Sequence, residues 1–303
     1  MTLSYHTFLK EIIDLFVGGN LQEALTYIKS NRDKVNGIDS QIDNFEFCIA
    51  ALNGNSELAL NIFEKSIQEK GFWYETSQLE GDSDLDSIRD NMKFKALLEM
   101  NRRREHEFLG LGQATVHVRE GHADKGYIIL HGNHENARIT KGIWSEEVVD
   151  RATSAFLQSG QPDFYDAYHW NDREKAVSDA KSLIDNLMVK YPNVESWTIV
   201  GFSMSATVVL DLVTRKLVSP EHIVLFGPWL PYLENEKDKL SVLNHNMKIS
   251  VLIGDEDEDC REHAEQLVEV LAENELEADF IVMNGTGHGY PDNLKEYIAK
   301  LTS

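Results

Sequence analysis

The sequence predicts an α/β fold, with a mainly parallel sheet covered by helices on both faces, preceded by a small all-α region. From residue 112 onward, short apolar runs alternate with amphipathic segments, as strands and helices do when they build a parallel sheet. The first third instead carries a repeated segment without a strand pattern. These observations predict two domains, residues 1–110 and residues 111–303.

The repeat in the first third indicates paired helices. The segment 19–25 (GNLQEAL) is echoed by 54–60 (GNSELAL), 35 positions later, and a period of about 34 residues is typical of tetratricopeptide repeats. In each unit a helix is expected to end at the Gly-Asn pair, where glycine supplies a left-handed turn, and a second helix to follow with its Ala-Leu pair packed inward. Residues 1 to about 75 therefore resemble two tetratricopeptide-like hairpins, and 84–104 is predicted to add a further helix.

The remaining chain predicts the elements of the α/β domain in order. Apolar, β-branched runs indicate strands, and longer segments with a helical period indicate helices. Strands are predicted at 115–119, 126–130, 164–168, from 198, and at 223–226, 249–253 and 280–283. Helices are predicted at 143–157, 174–190, after residue 203, and at 261–272 and 293–301.

Composition and charge exclude two classes of partner. The chain carries 51 Asp and Glu against 29 Lys and Arg, a formal net charge of −22, whereas binding to nucleic acid requires clustered basic residues. The first residues lack the basic and apolar regions of a signal peptide, and no stretch approaches the roughly 18 apolar residues that span a bilayer. We therefore expect a cytoplasmic protein that binds no nucleic acid and does not insert stably into membranes. Its two cysteines, Cys48 and Cys260, predict reduced thiols without a disulfide.

Ser203 lies at a turn between an apolar strand and a helix. The segment 197–213 (WTIVGFSMSATVVLDLV) passes from the strand through small residues into the helix. Small side chains on both sides of the serine let the backbone bend tightly, which exposes its hydroxyl beside the helix N-terminus. Asp257 and His288 follow downstream, each shortly after a further apolar strand. Because a serine hydroxyl needs a base and an orienting acid to act as a nucleophile, this order suggests a catalytic set.

In this turn and in the order Ser203, Asp257, His288, the chain resembles the α/β-hydrolase superfamily over residues 112–303. It is most similar to the small carboxylesterase- and lysophospholipase-like members. The resemblance implies Ser203 as nucleophile, His288 as general base and Asp257 as the acid that orients the base, without a cofactor or a metal. One position departs from the usual Gly-x-Ser-x-Gly motif, since Ser205 replaces the second glycine. Serine is small enough to occupy this position.

The choice of Asp257 among the five carboxylates of 255–259 (DEDED) rests on the same resemblance. In the superfamily the acid usually falls three residues after the glycine that ends the preceding strand. Here that glycine is Gly254, so the rule selects Asp257. Asp255 and Asp259 remain alternatives. A calcium-binding loop would also place carboxylates at its first, third and fifth positions, but this run has Cys260 where such a loop requires glycine.

Two backbone N–H groups are expected to bind the oxyanion of a tetrahedral intermediate. The resemblance implies the N–H of Met204, directly after the nucleophile, and the N–H of Asn133, because the preceding His131-Gly132 resembles the His-Gly element of the superfamily. We expect His131 itself to be structural. The run 132–135 (GNHE) also matches a metallophosphoesterase motif, but those enzymes require an Asp-x-His that this chain lacks.

The sequence therefore predicts a serine hydrolase that cleaves a small-molecule carboxylic ester through an acyl-enzyme. A carboxylesterase is the first choice, and lysophospholipase, thioesterase and peptidase activities remain open. A protein of a different class, whose helices bind a partner without catalysis, also remains open. We expect the helical region to cover its apolar faces with the catalytic domain, with a second copy in a homodimer or with another protein. Candidates for lining the pocket, each equally consistent with the core, are Trp144, Tyr168, His169, Trp170, Trp229 and Tyr232.

Overall fold

The computed structural model describes residues 3–122, 124–145, 148–149 and 151–302. It separates into two compact units, one formed by Met1–Gly112 with Pro162–Tyr168 and the other by Gln113–Gln161 with His169–Ser303. The first unit therefore takes in a short segment from the middle of the chain. The predicted domain ranges, 1–110 and 111–303, stay a prediction.

The first unit is helical. Its α-helices are Tyr5–Val17 (α1), Leu21–Asn31 (α2), Asp39–Leu52 (α3), Ser56–Glu64 (α4), Thr76–Gly81 (α5), Asp86–Arg89 (α6) and Met92–Leu109 (α7). Short 3-10 turns at Arg32–Lys34 and Ser83–Leu85 and a π-helical turn at Lys65–Glu69 connect them. α1 packs on α2, α2 on α3, and α3 on α4. The expected helical region ahead of the α/β part is confirmed.

The two repeated segments form the same turn. Gly19 and Gly54 have φ angles of +74° and +75°, a left-handed conformation that glycine adopts most easily. The N–H groups of Asn20 and Asn55 donate to the carbonyl groups five residues earlier, at 2.8 and 2.9 Å, and so close the preceding helices. In the helices that follow, the alanines of both Ala-Leu pairs are fully buried. One hairpin turn is thus used twice, while its kinship to tetratricopeptide repeats stays a prediction.

The strands of the described chain form one large sheet and one small hairpin. They are Thr115–Arg119 (β1), Lys125–Leu130 (β2), Thr153–Gln158 (β3), Pro162–Phe164 (β4), Ala167–Tyr168 (β5), Ser196–Phe202 (β6), His222–Phe226 (β7), Lys248–Gly254 (β8) and Asp279–Met283 (β9). The large sheet has the order β1-β3-β2-β6-β7-β8-β9. β1 runs antiparallel to β3, and all other neighbours in this sheet are parallel.

Helices cover both faces of the large sheet. They are Ala137–Ile143 (α8), Arg173–Lys190 (α9), Ser205–Thr214 (α10), Leu233–Glu236 (α11), Glu258–Glu273 (α12) and Leu294–Thr302 (α13). Apolar residues of α9, α10 and α12 pack on one face, and those of α8 and α13 pack on the other. The predicted fold class is therefore confirmed. In the part of the chain that the structure describes, no helix has the length and apolar character needed to cross a membrane.

The helix predicted at 143–157 is wrong. α8 ends at Ile143, and 153–158 is the strand β3 in the interior of the sheet, with every residue buried. β3 pairs with β1 on one side and β2 on the other. A short run that is buried on both faces has no alternating pattern, so its periodicity does not separate a strand from a buried helix. Residues 146, 147 and 150 of the predicted helix lie outside the described residues.

The strand predicted at 164–168 is also not part of the large sheet. β4 and β5 pair with each other in a hairpin that packs on helices of the first unit. The N–H of Tyr165 donates to the Trp73 carbonyl (3.0 Å), and its carbonyl accepts a hydrogen bond from the Ser40 hydroxyl (2.5 Å). The Tyr165 ring lies against Phe72, with centroids 4.7 Å apart. These partners are distant in the sequence, so no local pattern indicates them.

Candidate active site

Ser203 lies between the end of β6 at Phe202 and the start of α10 at Ser205. Its φ angle is +55°, a left-handed conformation that costs a non-glycine residue about 1–3 kcal/mol. The end of β7 and the segment after it hold this conformation, since the Ser203 N–H donates to the Phe226 carbonyl (3.0 Å) and the Ser203 carbonyl accepts the Trp229 N–H (3.1 Å). This is the geometry expected of a nucleophile elbow.

Two glycines allow close approaches around this turn. A Cβ at Gly201 would lie 2.9 Å from backbone atoms of Ala206, so a side chain there would push α10 away from β6. A Cβ at Gly132 would lie 2.7 Å from the Phe202 ring and 3.6 Å from the Ser203 Cβ. The loop after β2 therefore passes directly beside the serine.

Asp257, His288 and Ser203 form one hydrogen-bonded line. The distance is 2.8 Å between Asp257 Oδ2 and His288 Nδ1, and 2.9 Å between His288 Nε2 and Ser203 Oγ. With its Nδ1 proton directed at the carboxylate, the imidazole presents Nε2 as an acceptor for the serine hydroxyl. The Asp257 side chain is 1% exposed and that of His288 is 34% exposed. The carboxylate is therefore shielded from water, while the histidine remains open to a substrate.

The carboxylates on either side of Asp257 face elsewhere. Asp257 caps α12, and its Oδ1 accepts the Cys260 N–H at 3.1 Å. Asp255 Oδ1 instead accepts the Thr286 N–H at 3.1 Å, on the loop that precedes the histidine. Asp259 is exposed in the first turn of α12. Of the three candidate acids, Asp257 is the one that the structure brings to His288.

Gly227 was not singled out by the sequence but contacts this line directly. It follows β7 with a φ angle of +45°. A Cβ at this position would lie 3.0 Å from Asp257 Oδ2 and 3.2 Å from His288 Nδ1. Its N–H donates to the Leu252 carbonyl of β8 at 2.7 Å. The absence of a side chain thus lets the backbone pass next to the Asp–His hydrogen bond, and a glycine directly after an apolar strand was the available signal.

His131 holds the loop after β2 and does not face the serine. Its Nε2 accepts the Ser159 N–H (3.2 Å), and its carbonyl accepts the Trp170 indole N–H (2.8 Å). The two rings pack with centroids 5.0 Å apart. Complete burial lowers the pKa of His131 to about 4, so the ring is neutral. This agrees with the structural role expected for it.

Asn133 has its side chain engaged and its backbone N–H available. Oδ1 accepts the Trp170 N–H and Nδ2 donates to Asn171 Oδ1, both at 2.9 Å. Within the described residues, neither the Asn133 N–H nor the Met204 N–H has a protein acceptor. Met204 directly follows Ser203, and Asn133 directly follows Gly132, where an added Cβ would lie 3.6 Å from the Ser203 Cβ. The metallophosphoesterase motif is not supported, because the side-chain amide of Asn133, which would bind a metal in that motif, is hydrogen-bonded to Trp170 and Asn171.

One set of potential metal ligands occurs in the described residues. The donor atoms of Asp257, Cys260 and His288 lie within 4.8 Å of one another. Asp257 and His288 already share a hydrogen bond, and burial raises the pKa of the Cys260 thiol so that it stays protonated. The arrangement therefore suits proton transfer through His288 better than metal coordination.

The aromatic candidates for the pocket separate into two groups. Trp144 and Trp170 are buried in the core, whereas Trp229 and Tyr232 are 38% and 44% exposed. Tyr168 and His169 are half-buried at the end of the β4–β5 segment. Trp229 is bonded through its backbone to the nucleophile turn, and its ring packs edge-on against His263 at 4.7 Å. It is thus the candidate that lies beside Ser203.

Arg173 anchors the segment that follows Trp229. Its guanidinium donates to Asp211 Oδ1 (2.6 Å) and Glu236 Oε1 (2.9 Å), and lies 5.1 Å from the centre of the Tyr232 ring. Asp211 is 1% exposed, so its charge requires a partner. Hydrogen bonds from Arg173, and then from Lys239, lower the pKa of Glu236 to about 2.

Comparisons with known proteins agree with this architecture. The family described as "A/B hydrolase-like, N-terminal domain" matches residues 4–108, and the dienelactone hydrolase family matches residues 106–301. An uncharacterized protein from Bacillus cereus ATCC 10987 is 30% identical over 99% of this chain and 98% of its own, with a TM-score of 0.56. None of the curated proteins matches the chain.

Two more distant structures share the fold alone. Acyl-protein thioesterase 2 from Zea mays is 19% identical, covers 63% of this chain and 98% of its own, and has a TM-score of 0.51. An alpha-beta serine hydrolase homologue from Coxiella burnetii is 16% identical, covers 64% of this chain and 93% of its own, and has a TM-score of 0.50. Neither likeness carries an activity over to this chain.

Proposed function

This chain belongs to the dienelactone hydrolase family and is a hydrolase of the α/β fold, and we propose that it cleaves a carboxylic ester with Ser203 as nucleophile. The observation that carries this proposal is the line from Asp257 through His288 to Ser203, with distances of 2.8 and 2.9 Å. A base in contact with the hydroxyl and an acid in contact with the base are the requirements for activating a serine.

The reaction proceeds in two halves. His288 Nε2 takes the Ser203 proton as Oγ attacks the ester carbonyl, and the Asp257 carboxylate stabilises the imidazolium. The oxyanion of the tetrahedral intermediate accepts hydrogen bonds from the N–H groups of Met204 and Asn133. His288 then donates its proton to the leaving alkoxide, and in the second half it activates the water that hydrolyses the acyl-enzyme. No step needs a cofactor.

Neither cysteine competes with Ser203 as the nucleophile. Cys48 and Cys260 are 6% and 1% exposed. Burial, reinforced by the carboxylates of Asp82 and Asp257, raises the pKa of both thiols. Because the thiolate is the reactive form, both remain unreactive at neutral pH.

A panel of p-nitrophenyl esters of increasing acyl length, combined with labelling by a fluorophosphonate probe, tests the proposal. We expect turnover and labelling of the native protein, and loss of both in Ser203→Ala, with turnover lower by about 10³ to 10⁶. Ser154→Ala is the matched control, because Ser154 is equally a serine, fully buried in β3, with its hydroxyl bonded to the Ala152 carbonyl. It should retain both.

The outcomes separate the alternatives. Labelling that survives Ser203→Ala contradicts the choice of nucleophile. Faster turnover of thioesters, lysophospholipids or peptides than of esters would keep the mechanism and change the leaving group. Absence of both labelling and turnover in the native protein would instead favour a non-catalytic protein whose helices bind a partner.

A further inference from the structure

Ser205 occupies the position where the usual motif of this fold has glycine, and its hydroxyl forms hydrogen bonds with residues of two strands, β2 and β6. The residue is the first of α10 and is fully buried. Its Oγ accepts the Phe202 N–H at 2.8 Å. The same Oγ lies 2.9 Å from the Phe202 carbonyl and 3.1 Å from the Leu130 carbonyl. Either carbonyl is within reach to accept the single hydroxyl proton of Ser205. Steric fit alone, the only role that the sequence suggests for Ser205, does not require these contacts.

The bonded atoms belong to the ends of two neighbouring strands. β2 and β6 are paired through their last register pair, Leu130 with Gly201. The Ser205 hydroxyl connects the Leu130 carbonyl of β2 to Phe202, the residue of β6 that follows this pair. The hydroxyl therefore continues the link between the two strands at the edge of the sheet where Ser203 lies.

Each of these strand ends leads to one of the two N–H groups expected to bind the oxyanion. Three residues after Leu130 comes Asn133, and two residues after Phe202 comes Met204. An oxyanion is stabilised only when both donors lie at hydrogen-bond distance from the position of the developing charge. A displacement of about 1 Å in such a site can cost about a hundredfold in rate. Each donor lies within three residues of the end of its strand, so a hydrogen bond between the two strand ends acts close to both donors in the chain.

We propose that Ser205 is a positioning residue whose hydroxyl fixes the separation of the Met204 and Asn133 N–H groups for binding of the oxyanion. This inference rests on the proposed function, since it concerns the same reaction. A glycine or an alanine at position 205 would satisfy the steric demand of the turn but would leave the Leu130 carbonyl without the hydroxyl.

Two substitutions and two kinetic quantities test this role. In Ser205→Ala and in Ser205→Gly, kcat for a p-nitrophenyl ester should fall about 10- to 100-fold, while KM stays within about twofold, because the lost interaction acts in the transition state. The inhibition constant of a trifluoromethyl ketone, which adds to the serine and places a negative oxygen at the oxyanion position, should rise by the same factor as kcat falls. Using both variants keeps the test informative if one of them does not fold.

The control is again Ser154→Ala. Its buried hydroxyl is bonded to the Ala152 carbonyl, and Ser154 pairs with Tyr127, three residues before the end of β2 that leads to Asn133. It should leave kcat and the inhibition constant unchanged, whatever its effect on the melting temperature. A Ser205→Ala or Ser205→Gly protein that melts earlier but retains native kcat and native ketone affinity would overturn the inference and leave Ser205 with a structural role. Native kinetics in the glycine variant alone would overturn it as well.

Failure of this inference is distinguishable from failure of the proposed function. If Ser203→Ala loses labelling while the Ser205 variants keep native kinetics, the serine hydrolase stands and the positioning role falls. If Ser203→Ala keeps its labelling, the proposed function itself is wrong, whatever the Ser205 variants show.

Discussion

Asp257 and His288 are 31 positions apart in the sequence and are joined by a hydrogen bond of 2.8 Å between Oδ2 and Nδ1. They follow β8 and β9, which are parallel neighbours, so both residues emerge at the same edge of the sheet. Ser203 follows β6 at that edge and completes the line.

Asp257→Asn should lower kcat by about 10² to 10⁴, because an amide no longer holds the histidine tautomer that presents Nε2 to the serine. Steady-state hydrolysis of a p-nitrophenyl ester measures the effect. Asp255→Asn and Asp259→Asn are the controls and should stay within about tenfold of the native rate, since neither carboxylate contacts His288 in the described structure. A crippling effect of Asp259→Asn would show that the acid has been assigned two residues too early.

Gly227→Ala should lower kcat by about a hundredfold, because the new methyl would lie 3.0 Å from Asp257 Oδ2 and 3.2 Å from His288 Nδ1 and displace one of them. The φ angle of +45° adds backbone strain. The control is Gly142→Ala in α8, where the added methyl meets no atom within 4 Å. Native kcat in Gly227→Ala would show that the Asp–His pair tolerates a neighbour at this distance.

Glu236→Gln should lower the melting temperature at neutral pH by removing one carboxylate from Arg173. The pKa of Glu236 is about 2 in the folded protein, against an ordinary value of 4.5. A depressed pKa stabilises the fold above the ordinary value, and this contribution is lost as pH falls from 4.5 toward 2. The difference in melting temperature between native and variant protein should therefore be constant above about pH 5.5 and shrink below pH 4.5. Scanning calorimetry from pH 7 downward measures it, and a difference that grows on acidification would contradict the prediction.

Deletion of residues 1–105 should leave a poorly soluble or markedly less heat-resistant protein. The deletion removes Ser40, Phe72 and Trp73, which are the partners of Tyr165 in the β4–β5 hairpin. Tyr165→Ala in the full chain is the milder companion and should lower the melting temperature without loss of solubility. A truncated protein that stays soluble, monomeric and equally heat-resistant would instead favour an independent helical module for a separate partner or a second copy.

Local patterns determined those parts of this protein whose cause lies in adjacent residues. The apolar strand, small-residue turn and helix around Ser203 are visible in 17 consecutive letters of the sequence, because a tight turn makes its steric demands within a few residues. The glycine turns of the repeated segments, at Gly19 and Gly54, are visible for the same reason. Alternation of strand and helix likewise predicted the fold class. Local pattern did not distinguish Asp257 from the neighbouring carboxylates. That choice depended on the resemblance to known hydrolases.

Tertiary contacts decided the rest. The six residues of β3 form a strand because β1 and β2 flank them, and 162–168 packs on helices because Tyr165 meets Trp73. The importance of Gly227 arises from two side chains on the segments that follow β8 and β9, and the Leu130 carbonyl that the Ser205 hydroxyl reaches lies 75 positions earlier in the chain. Contacts of this kind exist only once a parallel sheet has brought the ends of its strands to one edge. A pattern confined to neighbouring residues carries no information about them.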